Sequence, residues 1–212
     1  MRRLPIYILV ECSQDTAEDL PSVREGIVAL VAALRQDHPE VLETGYVSII
    51  TFAAQARQQS PLAELVGFSL PSKFEAGHGC MFGRAMGLLV ESYNKEFKQT
   101  TAIQKGDWKP SLLVIASGNS EDDFFRKMDL PPLMAELFSI VVVAAGRNQN
   151  VENLTSFLRQ SLAKSQKNLG EDDPDPVSFS LWGQYHGQLG NSKLLVEHSR
   201  MFAQSLFPIS PS

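Results

Sequence analysis

Cysteines, long apolar runs and clusters of basic residues are all scarce in this chain of 212 residues. Its two cysteines, Cys12 and Cys80, are too few for a disulfide framework, so a cytoplasmic location is expected. No run approaches the roughly 20 apolar residues of a membrane helix. The net charge is −5 and no Lys/Arg cluster is evident, which argues against nucleic-acid and membrane partners.

Signatures of nucleotide-binding enzymes are also missing. A dinucleotide-binding fingerprint needs its glycines directly after the first strand, where residues 11–14 read Glu-Cys-Ser-Gln. A glycine-rich turn at residues 77–79 precedes a predicted helix and could cradle a phosphate, but no Walker lysine follows it. His78 and Cys80 lack a supporting acid, so no catalytic residue is predicted. A nucleotide-binding Rossmann-like enzyme stays an alternative to a non-enzymatic protein.

The chain does contain buried strands alternating with amphipathic helices. Apolar runs at residues 4–10, 111–116 and 138–145 are typical of parallel strands covered on both faces. The alternation predicts a three-layer αβα, Rossmann-like domain with a mostly parallel sheet. Because Pro61 cannot donate to a central ladder, residues 56–61 are expected to form one antiparallel edge strand. Further elements are predicted at residues 18–36 (helix), 46–52 (strand), 82–97 (helix) and 151–167 (helix).

The domain is predicted to cover residues 1–168, followed by a C-terminal extension at 169–212. Residues 170–176 are acidic and contain prolines, as loops and linkers often do. Residues 177–182 alternate apolar and polar side chains like a strand, and residues 191–207 have helical periodicity. This helix could pack on its own domain, on a partner or on a second copy, which leaves a homo-oligomer open.

Polar side chains follow the first strand at alternate positions, namely Glu11, Ser13 and Asp15. In open α/β sheets, ligands bind at the carboxyl ends of the strands. The carboxyl ends of the strands are expected to bring together residues 11–16, 78–81 and 117–123, which are here called the rim.

Several longer stretches resemble bacterial von Willebrand factor A (vWA) domains of the tellurite-resistance TerY type. They are residues 2–10 (RRLPIYILV), 23–30 (VREGIVAL), 42–52 (LETGYVSIITF) and 106–110 (GDWKP). The resemblance spans about residues 2–146 and implies the vWA fold.

Members of that family bind a divalent ion through an Asp-x-Ser-x-Ser loop, a threonine and a later aspartate. The resemblance places Glu11 at the first aspartate, Ser13 at the first serine and Asp15 at the second. It places Cys80 at the threonine and Ser117 at the later aspartate. Only Ser13 is unchanged, and a thiol suits Mg²⁺ poorly because this ion prefers oxygen ligands. The expectation is a degenerate metal-ion-dependent adhesion site without a cofactor, with Mg²⁺ binding through altered ligands as the alternative.

The resemblance further implies an adaptor or scaffold in a bacterial stress-response or chemical-defence system related to tellurite resistance. The implied partners are proteins such as kinases, phosphatases and other tellurite-resistance-type proteins, and their expected contact face is the rim. This functional expectation depends on analogy at the level of the fold.

Overall fold

Strands and helices alternate along the part of the chain that the computed structural model describes, which is residues 2–37, 39–122, 137, 139–146, 151–168 and 178–182. The strands are β1 (Leu4–Glu11), β2 (Gly45–Phe52), β3 (Ala56–Glu64), β4 (Ser111–Ala116), β5 (Ser139–Ala144) and β6 (Ser178–Trp182). The helices are α1 (Leu20–Asp37), α2 (Pro39–Thr44), α3 (Phe82–Glu96) and α4 (Val151–Asn168), with a 3₁₀ turn at Leu65–Gly67.

The strands form one six-stranded sheet in the order β3-β2-β1-β4-β5-β6. All neighbours pair in parallel except β3, which is antiparallel to β2 at the sheet edge. The predicted α/β fold, with a mostly parallel sheet and one antiparallel edge strand, is therefore confirmed. Because β1 lies between β2 and β4, its carboxyl end lies near the middle of the row of strand ends.

Helices cover both faces of the sheet and give the three predicted layers. On one face, α1 packs with Val23, Ile27, Leu30 and Leu34. On the other face, α3 and α4 pack with Met86, Leu89, Leu154 and Leu158. Burying each such aliphatic side chain contributes about 1.5–3 kcal/mol to folding. None of the helices in the described ranges combines the length and apolar character of a membrane span.

Two local features differ from the sequence-based expectation. The edge strand β3 runs to Glu64, beyond the predicted end at Pro61. Pro61 falls where the β2–β3 register shifts between Val47 and Ile49, so the irregularity accommodates a residue that has no N–H. The short helix α2 was not predicted, and it is held by the buried side chain of Val41.

The C-terminal part contributes a strand to the main sheet. β6 pairs in parallel with β5, so the predicted strand at residues 177–182 forms at Ser178–Trp182. The division of the chain at residues 168 and 169 stays a prediction. The expected linker at 170–176 and helix at 191–207 lie outside the described residues.

An ion pair fastens the start of β1 to the segment between α3 and β4. Arg3 donates from Nε to Asp107 Oδ1 at 2.8 Å and from Nη2 to Oδ2 at 2.5 Å. The backbone N–H of Lys98 also donates to Asp107 Oδ2, at 2.8 Å. The side chains of Arg3 and Asp107 are 16% and 2% exposed. Their mutual hydrogen bonds offset the cost of burying both charges.

We expect Asp107→Ala to lower the free energy of unfolding by about 3 kcal/mol, because it leaves the Arg3 guanidinium buried without its partner. Chemical denaturation measures this loss. The control is Glu75→Ala, which breaks the exposed ion pair between Lys73 and Glu75. That variant should unfold almost as the parent does, and equal losses in both variants would contradict the assigned role of Asp107.

Candidate functional site

Three segments meet at the carboxyl end of the central strands. Glu11 is the last residue of β1, Ser117 directly follows β4, and Cys80 lies just before α3. The parallel pairing of β1 and β4 places Val10 opposite Ile115, so both strands end at the same level. The structure therefore brings Glu11 and Ser117 together from residues far apart in the sequence.

The Glu11 carboxylate is at the centre of this arrangement and is only 1% exposed. The backbone N–H of Ser117 donates to Oε2 at 2.7 Å, and the Ser117 hydroxyl lies 2.9 Å from both carboxylate oxygens. The Ser13 hydroxyl donates to Oε1 at 2.5 Å. The Cys80 side chain lines the same small cavity as Glu11. Three donor groups from two segments thus bind one buried carboxylate.

Burial changes the protonation of the groups in this cluster. It raises the pKa of Glu11, and hydrogen bonds from Ser13 and Ser117 oppose that rise. Burial, with the nearby Glu11 charge, also raises the pKa of the Cys80 thiol. The same causes raise the pKa of Cys12 to about 12. Both thiols therefore keep their protons at neutral pH.

The loop after β1 is held by its own hydroxyl groups. The Thr16 hydroxyl donates to the carbonyl of Glu11 at 2.9 Å and lies 3.2 Å from that of Ser13. The N–H of Asp15 donates to the Ser13 hydroxyl at 3.2 Å. The part-exposed Asp15 carboxylate makes no hydrogen bond to any residue in the described ranges, so it does not join the Glu11 cluster. The predicted rim includes Thr16, but this role of its hydroxyl was not predicted, although a hydroxyl three residues after Ser13 is typical of such turns.

The loop after β4 caps the first turn of α3. The N–H of Gly83 donates to Asp122 Oδ2 at 2.8 Å, and that of Phe82 donates to the Ser120 hydroxyl at 3.2 Å. The Ser120 hydroxyl in turn donates to Asp122 Oδ1 at 2.5 Å. Met81, at the N-cap position, supplies no side-chain cap, so the neighbouring loop satisfies these helix donors. Sequence reasoning missed this role of Ser120 and Asp122, and Asp123 lies outside the described residues.

The glycine-rich turn before α3 uses its backbone groups within the protein. The N–H of Gly77 donates to the Cys12 carbonyl at 2.7 Å, and that of Met81 donates to the Ala53 carbonyl at 2.9 Å. Gly79 has φ +70°, a conformation that favours glycine. On the surface, Gln14 Nε2 lies 2.9 Å from His78 Nδ1. The N–H groups of residues 77, 81, 82 and 83 therefore already have protein acceptors, which disfavours a phosphate cradle here.

The free space beside Glu11 is small. It is a cavity of about 10 Å³ whose lining includes the apolar groups of Phe52, Cys80, Phe82 and Ala116. Such a volume holds about one water molecule. A nucleotide or a hydrated ion therefore does not fit in this cavity.

The arrangement supplies hydrogen-bond donors to a carboxylate. In the described ranges, no group of three or more His, Cys, Asp or Glu side chains is placed to hold a metal ion. The Ser117 N–H cannot ligate a cation, and the hydroxyl of Ser13 is directed at Glu11. Chemically, these contacts suit a stable hydrogen-bonded core beneath a polar surface.

Comparisons with known proteins identify the fold. No family model matches the chain, and no curated protein matches its sequence. An aerotolerance-related membrane protein from Bacteroides fragilis NCTC 9343 is similar in structure, with 15% identity, a TM-score of 0.51, and coverage of 96% of this chain and 98% of that one. BatB from Bacteroides thetaiotaomicron has 16% identity, a TM-score of 0.52, and coverage of 95% and 96%.

The vWA domain of SpRpn10 is 11% identical, with a TM-score of 0.51 and coverage of 92% of this chain and 93% of that one. Identities this low establish the fold alone. The chain has the von Willebrand factor A fold, as the resemblance implied.

The raised pKa of Glu11 predicts a specific pH dependence of stability. Folding lets Glu11 keep its proton above pH 4.5, its ordinary pKa, where the unfolded chain has lost that proton. The free energy of unfolding should therefore decrease as the pH rises from 4.5 through the folded pKa. Relative to Glu11→Gln, the parent protein should lose stability over this range in denaturant titrations with EDTA.

The control is Glu25→Gln, which makes the same substitution at an exposed glutamate and keeps Glu11, so it should show the decrease seen in the parent protein. The opposite result is a parent protein that gains stability relative to Glu11→Gln as the pH rises. It would show that the hydrogen bonds to Glu11 outweigh burial and lower its pKa.

Proposed function

We propose that this chain is a non-enzymatic, protein-binding vWA domain whose rim recognises its partner without a bound ion. Domains with this fold commonly mediate protein interactions. The observation that carries the proposal is the buried Glu11 carboxylate with its donors from Ser13 and Ser117. The rim is then a degenerate metal-ion-dependent adhesion site, in which hydrogen bonds hold the segments that an ion holds in the family.

The donor chemistry supports an ion-free rim. Mg²⁺ requires near-octahedral oxygen ligands and usually keeps several waters. Here Ser117 offers an N–H and a hydroxyl where the family has an aspartate, and Cys80 offers a protonated thiol. Asp15 is the second acidic residue of the loop, and its carboxylate makes no hydrogen bond with the described residues of the Glu11 cluster. The residues present therefore do not fit a hard divalent cation.

The surface of the rim supports recognition by direct polar contacts. Gln14, His78 and Glu121 are exposed around the buried cluster. They provide hydrogen-bond donors and acceptors and one negative charge. Beneath them, the two thiols are buried and protonated, which supports a binding role in preference to nucleophilic catalysis.

The sequence resemblance supplies the cellular setting of the proposal. The stretches that resemble the tellurite-resistance TerY type suggest a cytoplasmic adaptor in a bacterial stress-response or chemical-defence system. Kinases, phosphatases and other tellurite-resistance-type proteins are the partners that such an adaptor would bring together. A metal-competent domain that uses altered ligands is the second candidate, and it makes the opposite prediction about ions.

Titration calorimetry with Mg²⁺ and Mn²⁺ separates the two candidates. We expect no binding heat from the parent protein. As a matched control, the variant that combines Glu11→Asp, Asp15→Ser, Cys80→Thr and Ser117→Asp restores the family residues and should gain an ion. Saturable binding by the parent protein that Ser13→Ala abolishes would contradict the ion-free rim.

Affinity purification from the source cells in EDTA tests the protein-binding role. The parent protein should recover the same partner as Glu75→Arg, which reverses an exposed charge outside the rim. Glu121→Arg, which reverses an exposed charge within the rim, should lose that partner. A partner recovered only with Mg²⁺, or equally by all three proteins, would contradict metal-free recognition through the rim.

A further inference from the structure

The segment between α3 and β4 is rich in lysines. It lies at the end of the sheet opposite the rim, because it precedes the start of β4. This lysine loop, residues 95–109, contains four lysines and two acidic residues. The lysines are spaced out in the sequence, so no basic cluster is evident there. The fold adds the N-terminal arginines, since the N–H of Trp108 donates to the Arg3 carbonyl at 2.8 Å and Arg2 Nε donates to the Gly106 carbonyl at 3.0 Å.

The positive charges of the lysine loop are largely uncompensated. Lys95, Lys98 and Lys105 are exposed, and none forms an ion pair with a residue in the described ranges. Both acidic residues of the loop are engaged elsewhere. Asp107 pairs with Arg3, and the half-buried Glu96 accepts a hydrogen bond from Gln58 Nε2 at 3.0 Å. Lys95, Lys98 and Lys105 therefore add local positive charge to a chain whose net charge is −5.

Two large apolar side chains of the same loop are exposed to solvent. Ile103 is 97% exposed and Trp108 is 44% exposed. The Arg2 guanidinium carbon lies 3.8 Å from the centroid of the Trp108 ring, so it covers one face and leaves the rest accessible. An isoleucine with nearly its whole side chain in water loses the hydrophobic free energy that burial would supply.

Hydrogen bonds hold Ile103 in this outward position. The N–H of Thr101 donates to the Gln104 carbonyl at 2.9 Å, and the N–H of Gln104 donates to the Thr101 hydroxyl at 3.1 Å. The base of the loop is closed by the N–H of Asp107, which donates to the Lys98 carbonyl at 2.8 Å. The turn therefore presents Ile103 at a structured tip.

We propose that the lysine loop docks onto the surface of an anionic lipid bilayer. The lysines contact the lipid headgroups, while Ile103 and Trp108 enter the interfacial layer. A protruding apolar tip suits a deformable interface, whereas a peptide ligand would need a groove. Tryptophan favours the membrane interface, and each basic residue near an anionic surface adds attraction. Because a single loop with two apolar side chains makes the contact, binding to the membrane is expected to be reversible.

This proposal departs from the expectation of no membrane partner, which was based on the net charge and on the absence of a Lys/Arg cluster in the sequence. Surface attraction acts within about a Debye length, roughly 8 Å at physiological ionic strength, so the local lysines outweigh distant acidic residues. The lysine loop precedes the start of β4 and the rim follows its end, so docking leaves the rim accessible. The proposal does not depend on the ion-free rim.

Co-sedimentation with vesicles tests the electrostatic part. The protein should bind vesicles of phosphatidylcholine and phosphatidylglycerol in equal amounts, and should not bind phosphatidylcholine alone. Lys98→Glu and Lys105→Glu should each weaken the partition at least about fivefold. The control is Lys73→Glu, which makes the same charge change outside the lysine loop and should leave binding nearly unchanged.

Tryptophan fluorescence tests the apolar part. The chain has two tryptophans, so Trp182→Phe leaves Trp108 as the single reporter. Its emission should shift to the blue with anionic vesicles, and Ile103→Ser should abolish the shift and most of the binding. Val66→Ser, at an exposed apolar residue outside the lysine loop, should have no effect.

Absence of binding to anionic vesicles at low salt would overturn the proposal. Unchanged vesicle binding by Ile103→Ser would also overturn it. So would equally tight binding to duplex DNA that does not depend on Ile103, because the loop would then be a general polyanion site. Circular dichroism of each variant shows whether the fold is intact.

Discussion

Glu11 ends the central strand with a carboxylate that is almost inaccessible to water. A buried ionisable group is costly unless it is hydrogen-bonded or protonated, and donors on two separate segments meet that need. The loop after β1 contributes Ser13, and the residue after β4 contributes Ser117. Glu11 therefore joins the loops that follow β1 and β4 at the rim.

The same contacts limit the chemistry at the rim. Donors directed at Glu11 are unavailable to a substrate, and the first N–H groups of α3 are satisfied by Ser120 and Asp122. Ligand recognition is left to the exposed groups above this layer. At the opposite end of the strands, the Arg3–Asp107 pair is also buried, and it holds the base of the lysine loop. One end of the sheet thus carries the rim, and the other end carries the lysine loop.

The sequence predicts much of the fold because its strands are buried on both faces. Such strands appear as uninterrupted apolar runs, and β4 was predicted with its observed bounds. Parallel strands end at one edge, so the proximity of Glu11 and Ser117 was also predictable. The separation of the Asp15 carboxylate from Glu11 and the capping role of Asp122 could not be predicted, because each depends on the path of a loop. The exposure of Ile103 likewise depends on hydrogen bonds within a turn.

Anomalous diffraction from crystals grown with Mn²⁺ tests most directly whether donors, and not an ion, hold Glu11. We predict no anomalous peak at the rim, with the Glu11 carboxylate within hydrogen-bond distance of the N–H and hydroxyl of Ser117. A peak at coordination distance from the Glu11 carboxylate and the Ser13 hydroxyl would contradict this explanation of the rim.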